Sequence, residues 1–291
     1  MRWGRRREGQ KADFADSALK GRVVEHHRGG ERMPTKIALI GNPNCGKTTM
    51  FNDLTGSTQY VGNWPGVTVE KKEGRLRNHK EIIVTDLPGI YSLSPYTLEE
   101  VVSRNYLVHD HPNAIMDLVD ATNLERNLYL TTQIIELGIP VVLALNMMDI
   151  LKKTGDKINA EQLGKSLGCT VVETSALKGI GSLEGAEKAI ELAGQDLSVS
   201  PKKIFSASVE KTLEAIIKTF GVKMEAGRER WYAIKLFERD EKVLEALALS
   251  AKEKETLENL IVPLETEMED DSETIITNER YDFIAEVVEK S

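Results

Sequence analysis

Several groups of side chains along this chain are of types that handle polyphosphate, a divalent cation and a purine. The first is the run Gly41-Asn42-Pro43-Asn44-Cys45-Gly46-Lys47-Thr48-Thr49, set between the apolar stretch Lys36-Ile37-Ala38-Leu39-Ile40 and a helical stretch from Lys47 to Leu54. Strand, glycine-rich loop and helix in that order form a phosphate-binding loop. Its backbone N–H groups converge at the positive end of the following helix, and glycine lets the backbone approach phosphate oxygen closely. Lys47 reaches the β- and γ-phosphates as a point charge. The Thr48 hydroxyl replaces one water on the Mg²⁺ ion that bridges them.

Three further motifs decide the base and the chemistry. Asp86-Leu87-Pro88-Gly89 follows the apolar run Ile82 to Thr85, which puts a carboxylate at a strand end where it holds Mg²⁺ through water. Gly89 offers its N–H to the γ-phosphate. Asn146-Met147-Met148-Asp149 closes the apolar run Val141 to Leu145. An Asp149 carboxylate accepts from both N1–H and the exocyclic amine of guanine, whereas adenine presents a lone pair at N1; such a site rejects the wrong base by about 10⁴ or more. Asn146 ties this loop to the phosphate loop, and Ser175-Ala176-Leu177 supplies a backbone contact to the guanine oxygen. The segment Gln59 to Glu70 lies where a first switch belongs, so Gly66, Val67 and Thr68 are placed against the nucleotide. Thr68 is the favoured second Mg²⁺ ligand, with Thr58 as its competitor. These motifs, in this order, spell a GTPase.

The elements that must carry these loops follow from apolar periodicity. Strands are expected near 36–41, 67–73, 81–86, 114–120, 141–146 and 170–174, and helices near 47–55, 97–109, 123–137, 159–167 and 179–193. This alternation predicts an α/β domain over 35–195, a Ras-like P-loop fold on a mostly parallel sheet of six to seven strands. One hairpin-like connection, Gly74 to Lys80, leaves one antiparallel edge strand. Beyond Gly194 the pattern turns helical, with stretches at 207–220, 229–249, 251–268 and 273–290, and predicts a small all-α domain over 196–291.

The 291 residues, 41% of them hydrophobic, suffice for a core in each part. The apolar runs fall far short of the roughly 20 residues that cross a bilayer, and the chain opens with no secretory signal. Cys45 and Cys169 are far apart, which fits a reducing compartment. Net charge is −8, and the nine Lys/Arg against five Asp/Glu in residues 1–35 leave the remainder more acidic still. Such a surface repels nucleic acid. The arm 1–34 reads as disordered, an upstream extension. Ser291 follows no capping glycine, so the natural polypeptide is expected to continue.

The spellings Gly-Asn-Pro-Asn-Cys-Gly-Lys-Thr-Thr, Val-Gly-Asn-Trp-Pro-Gly-Val-Thr-Val-Glu, Asp-Leu-Pro-Gly-Ile-Tyr-Ser-Leu, Val-Asp-Ala-Thr-Asn-Leu-Glu-Arg-Asn-Leu-Tyr-Leu and Asn-Met-Met-Asp closely resemble the cytosolic amino-terminal part of the ferrous iron transport protein B family. The resemblance implies a GTP/GDP-binding domain, then a helical domain that favours GDP retention and leads to a membrane region moving Fe²⁺. It also implies a place at the cytoplasmic face of a bacterial or archaeal cell membrane. The implied partners are that transmembrane region, a small cytosolic accessory protein and further copies of the chain. Similarity to potassium-activated bacterial GTPases implies a K⁺ ion held by Asn44 and by carbonyls near Gly62 and Trp64, supplementing Lys47, Thr68 and Gly89 in catalysis.

Two departures qualify the resemblance to small GTPases. Ile90 stands where Ras-like switches carry a water-positioning glutamine, so unaided hydrolysis is expected to be slow. Met147 stands in place of the usual guanine-loop lysine. A soluble potassium-activated GTPase of ribosome or RNA maturation, and a non-hydrolysing GTP sensor, are the alternatives. The first calls for a basic appendage that this acidic chain lacks. His109 and His111 read as surface residues.

Overall fold

The structure, a computed structural model, describes residues 34–56, 59–94, 96–195 and 201–291. The arm read as disordered lies outside them except for Pro34, as does Thr58. The first half alternates β1 (Thr35–Gly41), α1 (Lys47–Thr55), β2 (Gln59–Asn63), β3 (Glu70–Arg75), β4 (Ile82–Asp86), α2 (Leu98–Asn105), β5 (Ala114–Asp120), α3 (Leu124–Ile135), β6 (Val141–Asn146), α4 (Met148–Thr154), α5 (Ala160–Leu167), β7 (Thr170–Glu173) and α6 (Ser182–Ala193). Helices α7 (Ala207–Phe220), α8 (Glu229–Phe237), α9 (Glu241–Ala246), α10 (Ala251–Met268) and α11 (Ser272–Lys290) follow.

The strands form one seven-stranded sheet in the order β2-β3-β4-β1-β5-β6-β7. β1 runs parallel to β4 on one side and to β5 on the other. Strand order therefore reverses at β1, and the carboxyl ends of β1, β4, β5 and β6 frame a crevice of the kind that takes ligands in open α/β sheets. β1, β5 and β6 read as continuous apolar runs because helices cover both faces, and every residue of β6 is buried.

One strand, β3, runs against the others as expected, but a further strand, β2, lies outside it and forms the sheet edge. β2 pairs with β3 and β3 with β4, both antiparallel. The expected strand 67–73 starts only at Glu70, because Trp64-Pro65-Gly66-Val67 is a turn: the Val67 N–H donates to Trp64 O at 3.3 Å and Gly66 has φ 77°. Proline at the second and glycine at the third position give it type II chemistry. β2 is an edge strand with largely solvated faces, so it leaves no burial alternation in the sequence.

The helical expectations shift for local reasons. The expected helix 97–109 is α2, capped by a Thr97/Glu100 box, running into a π-helical turn at Tyr106–Asp110. The expected helix 229–249 breaks where Arg239 turns left-handed (φ 55°) and Asp240 caps α9. α4, a helix beyond those expected, opens directly from the Asn146-x-x-Asp149 loop.

One cluster of buried side chains runs unbroken from Ile40, Val119 and Leu143 on the sheet, through Tyr106 and Leu130, to Trp231, Phe237 and Ile284 in the helical half. Two water-excluded forks fix the relative placement. Arg104 on α2 donates to both oxygens of Asp240 (2.7 and 3.0 Å), and Arg280 on α11 to both oxygens of Glu136, just past the end of α3 (2.7 Å each), and to Thr132 (3.2 Å). Removing one partner of such a pair typically costs about 3–5 kcal/mol, because it leaves a buried unpaired charge.

Asp117 on β5 is fully buried with its carboxylate on the Thr131 hydroxyl (2.6 Å); burial pushes it up to about 7 against the lowering effect of that hydrogen bond. The folded carboxyl thus keeps its proton where the unfolded one has lost it, and stability is lost as pH rises from about 4 to about 7. Asp117→Asn is expected to exceed the wild type in urea stability by about 1–3 kcal/mol at pH 8, with the gap closing towards pH 5. A gap independent of pH would contradict this assignment.

Candidate functional site

The loop from Gly41 to Gly46 leaves β1 at the centre of the crevice and winds into α1. A Cβ on Gly41 would stand 2.5 Å from Leu118 O, so the loop is laid against β5 with no side chain between. Asn44 (φ 66°) and Gly46 (φ 96°) are both left-handed and curl successive N–H groups inward, the geometry of an anion nest. Gly46 caps α1 without a side-chain hydrogen bond, and the first turn of α1 carries no acid. The amides of Lys47, Thr48 and Thr49 therefore face the crevice at the positive helix end. Cys45 is buried beneath the loop; burial first, then the nearby Asp117, pushes its thiol up to about 12, so it stays protonated.

Lys47 Nζ lies 2.5 Å from Asp86 Oδ1, with both side chains almost covered. Burial pushes the Asp86 carboxyl upward while Lys47 pulls it down. Polyphosphate entering the loop competes with Asp86 for Lys47, and a cation beside Thr48 and Asp86 compensates the carboxylate released. The donor set fits Mg²⁺: a hydroxyl and a carboxylate are hard oxygen ligands, and this ion characteristically takes one or two from protein and the rest from phosphate and water. Gly89 packs on Pro43, where a Cβ would lie 3.2 Å from the proline Cα, and the Ile90 N–H donates to Gly41 O at 3.3 Å. Asn44 is exposed in its left-handed turn, its amide side chain open to a monovalent cation.

At the other end, Asn146 joins the two loops. Its Nδ2 donates to Cys45 O (2.8 Å), while its Oδ1 accepts from the Ala176 N–H (2.9 Å) and from the Thr174 hydroxyl (3.3 Å). Asp149 accepts from Ser175 Oγ (2.8 Å) and pairs with Lys178 Nζ (3.3 Å). Ser175 first, then Lys178, holds the Asp149 carboxyl below its ordinary range, so it is ionised at neutral pH. Met147 is left-handed (φ 64°) and Leu177 is exposed.

The structure brings Asn42, Asn44, Lys47, Thr48, Asp86, Gly89, Asn146, Asp149, Ser175 and Ala176 to one crevice. It does not bring the first switch there. Among the described residues no hydrogen bond joins the Gly62–Thr68 stretch to the phosphate loop; Thr68 and Gly66 are exposed, Val67 is half-buried, and Gly62 is held in β2. Trp64 is drawn away into an edge-to-face contact with Tyr106, centroids 5.3 Å apart. Residues missed in the sequence are Lys178, which partners Asp149, and Gln133, whose Oε1 holds the Leu93 N–H at 2.6 Å. Among the described residues no group of three or more His, Cys, Asp or Glu is placed to hold a metal by itself. A hollow of about 630 Å³ lies elsewhere, lined by Pro140, Lys165 and Cys169 near the opposite strand ends.

A sheet that reverses at β1, with a phosphate loop beneath it and an acid-bearing base loop at β6, defines a Ras-like P-loop GTPase domain, here continued by five helices. The sequence profile of ferrous iron transport protein B matches residues 35–189, and that of the FeoB cytosolic helical domain matches residues 205–291. The chain belongs to the ferrous iron transport protein B family. It is 40% identical over 268 residues to the Fe(2+) transport protein A/Fe(2+) transporter FeoB fusion protein of Porphyromonas gingivalis, covering 86% of this chain and 31% of that protein. To the Fe(2+) transporter FeoB of Salmonella typhimurium it is 37% identical over 256 residues, covering 86% and 32%. The chain thus spans about a third of the length of these relatives. NFeoB from S. thermophilus bound to GDP.AlF4- and K+ is 47% identical, with TM-score 0.80 over 88% of this chain and 99% of that one. A variant of the same protein bound to GMPPNP gives TM-score 0.81 at the same identity, covering 88% and 99%. Among the described residues no helix is long and apolar enough to cross a membrane.

Proposed function

We propose that this chain binds GTP and GDP in the crevice, hydrolyses GTP slowly with Mg²⁺ and K⁺, and serves as the regulatory module of an Fe²⁺ transporter at the cytoplasmic face of a cell membrane. The observation that carries the reading is Asn146 bonded at once to the phosphate loop and to the loop beside an ionised Asp149. Phosphate and base sites are thereby held at a fixed separation, and only a guanine nucleotide satisfies both ends. The relatives named as Fe²⁺ transporters support the cargo, and their greater length supports a membrane region in the whole protein as the partner of the helical half.

In the mechanism, amides of the loop and Lys47 neutralise the β- and γ-phosphates, and the Gly89 N–H donates to the γ-phosphate. Thr48 and Asp86 would hold Mg²⁺, which would supply charge neutralisation at the phosphate oxygens. Thr68 joins them once the first switch closes over the nucleotide. Asn44, with carbonyls of Gly62 and Trp64, would hold K⁺, which would supply positive charge beside the phosphates. That closure requires Trp64 to leave its contact with Tyr106. No side chain here acts as a general base, and Ile90 cannot orient water, so turnover depends on backbone placement.

Phosphate release measured in potassium and then in sodium tests the reading. Turnover is expected to be faster in potassium, and Asn44→Ala is expected to remove that difference while leaving GDP affinity within about threefold. Equal rates in both salts would refute the potassium role. No turnover in either would select the second reading, a non-hydrolysing GTP sensor, which the buried Ile90 favours.

A further inference from the structure

With an apolar side chain at position 90, hydrolysis rests on where the backbone after Asp86 sits, and three contacts fix it. The Ile90 N–H donates to Gly41 O. The Leu93 N–H donates to Gln133 Oε1, with Ser92 Oγ beside it at 3.2 Å. Between them the Tyr91 ring, 41% exposed, lies under the guanidinium of Arg126, with 4.3 Å from Cζ to the ring centroid. Arg126 and Gln133 are seven residues apart on α3 and so share one face. One helix face thus holds the segment from two points.

The base of that helix is itself fixed in place. Asp120 Oδ1 accepts from the Thr122 N–H (2.9 Å) and its Oδ2 from Asn123 Nδ2 (2.9 Å); Asn127 Oδ1 accepts from the Asp120 N–H (3.2 Å). Asn42 of the phosphate loop donates to Arg126 O at 3.4 Å. The Val-Asp-Ala-Thr-Asn-Leu-Glu-Arg-Asn run therefore builds a short, internally bonded mount. It carries the Arg126 side chain from the phosphate loop to the residue next to Ile90.

Resting on the GTPase reading above, we propose that Arg126 is a positioning residue for hydrolysis: stacked on Tyr91, it holds the Gly89–Ile90 peptide against the phosphate end of the loop. A planar guanidinium is suited to this because it stacks on an aromatic face while keeping its charge in water. Lysine keeps the charge without the plane.

Single-turnover GTP hydrolysis and GDP binding on this chain test the assignment. Arg126→Ala is expected to slow hydrolysis by about three- to tenfold, with GDP affinity and thermal midpoint nearly unchanged, because the side chain is exposed. Arg126→Lys recovers part of the rate. Tyr91→Ala reproduces the loss, and the double variant Arg126→Ala/Tyr91→Ala is no slower than the slower single one, as two halves of one contact require. A wild-type rate in Arg126→Ala, single losses that multiply in the double variant, or a fall in GDP affinity matching the fall in rate would each overturn the proposal. Absence of turnover in the wild type would overturn the GTPase reading along with it.

Discussion

Asp149→Asn is expected to exchange guanine for xanthine as the preferred base. The native carboxylate is acceptor-only and is kept ionised by Ser175 at 2.8 Å and Lys178 at 3.3 Å. It can therefore take both N1–H and the 2-amino group of guanine. An asparagine amide still accepts from N1–H, but its NH₂ meets the 2-amino group donor to donor. Xanthine carries an oxygen at C2 and pairs with that NH₂. Because the unpaired polar groups would be confined against each other, GTP affinity should fall by about 10³ or more and xanthosine triphosphate affinity should rise correspondingly. Titration calorimetry with the two triphosphates reads this directly. GTP held by the variant within tenfold of the wild type would place the base elsewhere.

How far the sequence discloses this molecule depends on burial. β1, β5 and β6 are covered on both faces, and their uninterrupted apolar runs disclose them. β2 has solvent on much of its surface, so no apolar pattern marks it, and its pairing with β3 is set by a Pro65-Gly66 turn embedded in a segment that also reads as a switch. The break between α8 and α9 is invisible for a different reason. Apolar residues keep helical spacing through it, and the left-handed Arg239, held by Glu258 and Glu265 from distant turns of α10, interrupts the backbone just before Asp240 caps α9. That contact is tertiary and leaves no local signature.

The same contrast runs through the crevice. Lys47, Asp86, Asn146 and Asp149 sit at strand ends, where the spacing of the strands fixes their place, and the structure sets them around one hollow. Gly62, Trp64 and Thr68 belong to a hairpin at the sheet edge, where Trp64 packs on Tyr106 and, among the described residues, its indole N–H finds no acceptor. Lys178 and Gln133 carry no signal in the sequence, because a lysine after a turn and a glutamine inside a helix are ordinary surface residues until the fold aims them.

Gly46→Ala is expected to lower GDP affinity by roughly 10²–10³ for reasons that reach both ends of the site. Gly46 is left-handed, φ 96°, which costs an alanine about 1–2 kcal/mol. Its new Cβ would also stand 2.4 Å from Asn146 Nδ2. Asn146 would have to withdraw, freeing the Cys45 carbonyl that it holds at 2.8 Å and loosening its grip on Ala176 and Thr174. The phosphate nest and the base loop would then lose their common brace. Gly66→Ala separates strain from collision: Gly66 is also left-handed, φ 77°, but has open space where its Cβ would go. It carries only the conformational cost, so its effect on GDP affinity should stay within about tenfold. If Gly46→Ala bound GDP no more weakly than Gly66→Ala, the Asn146 brace would not be what holds the two halves of the site in register.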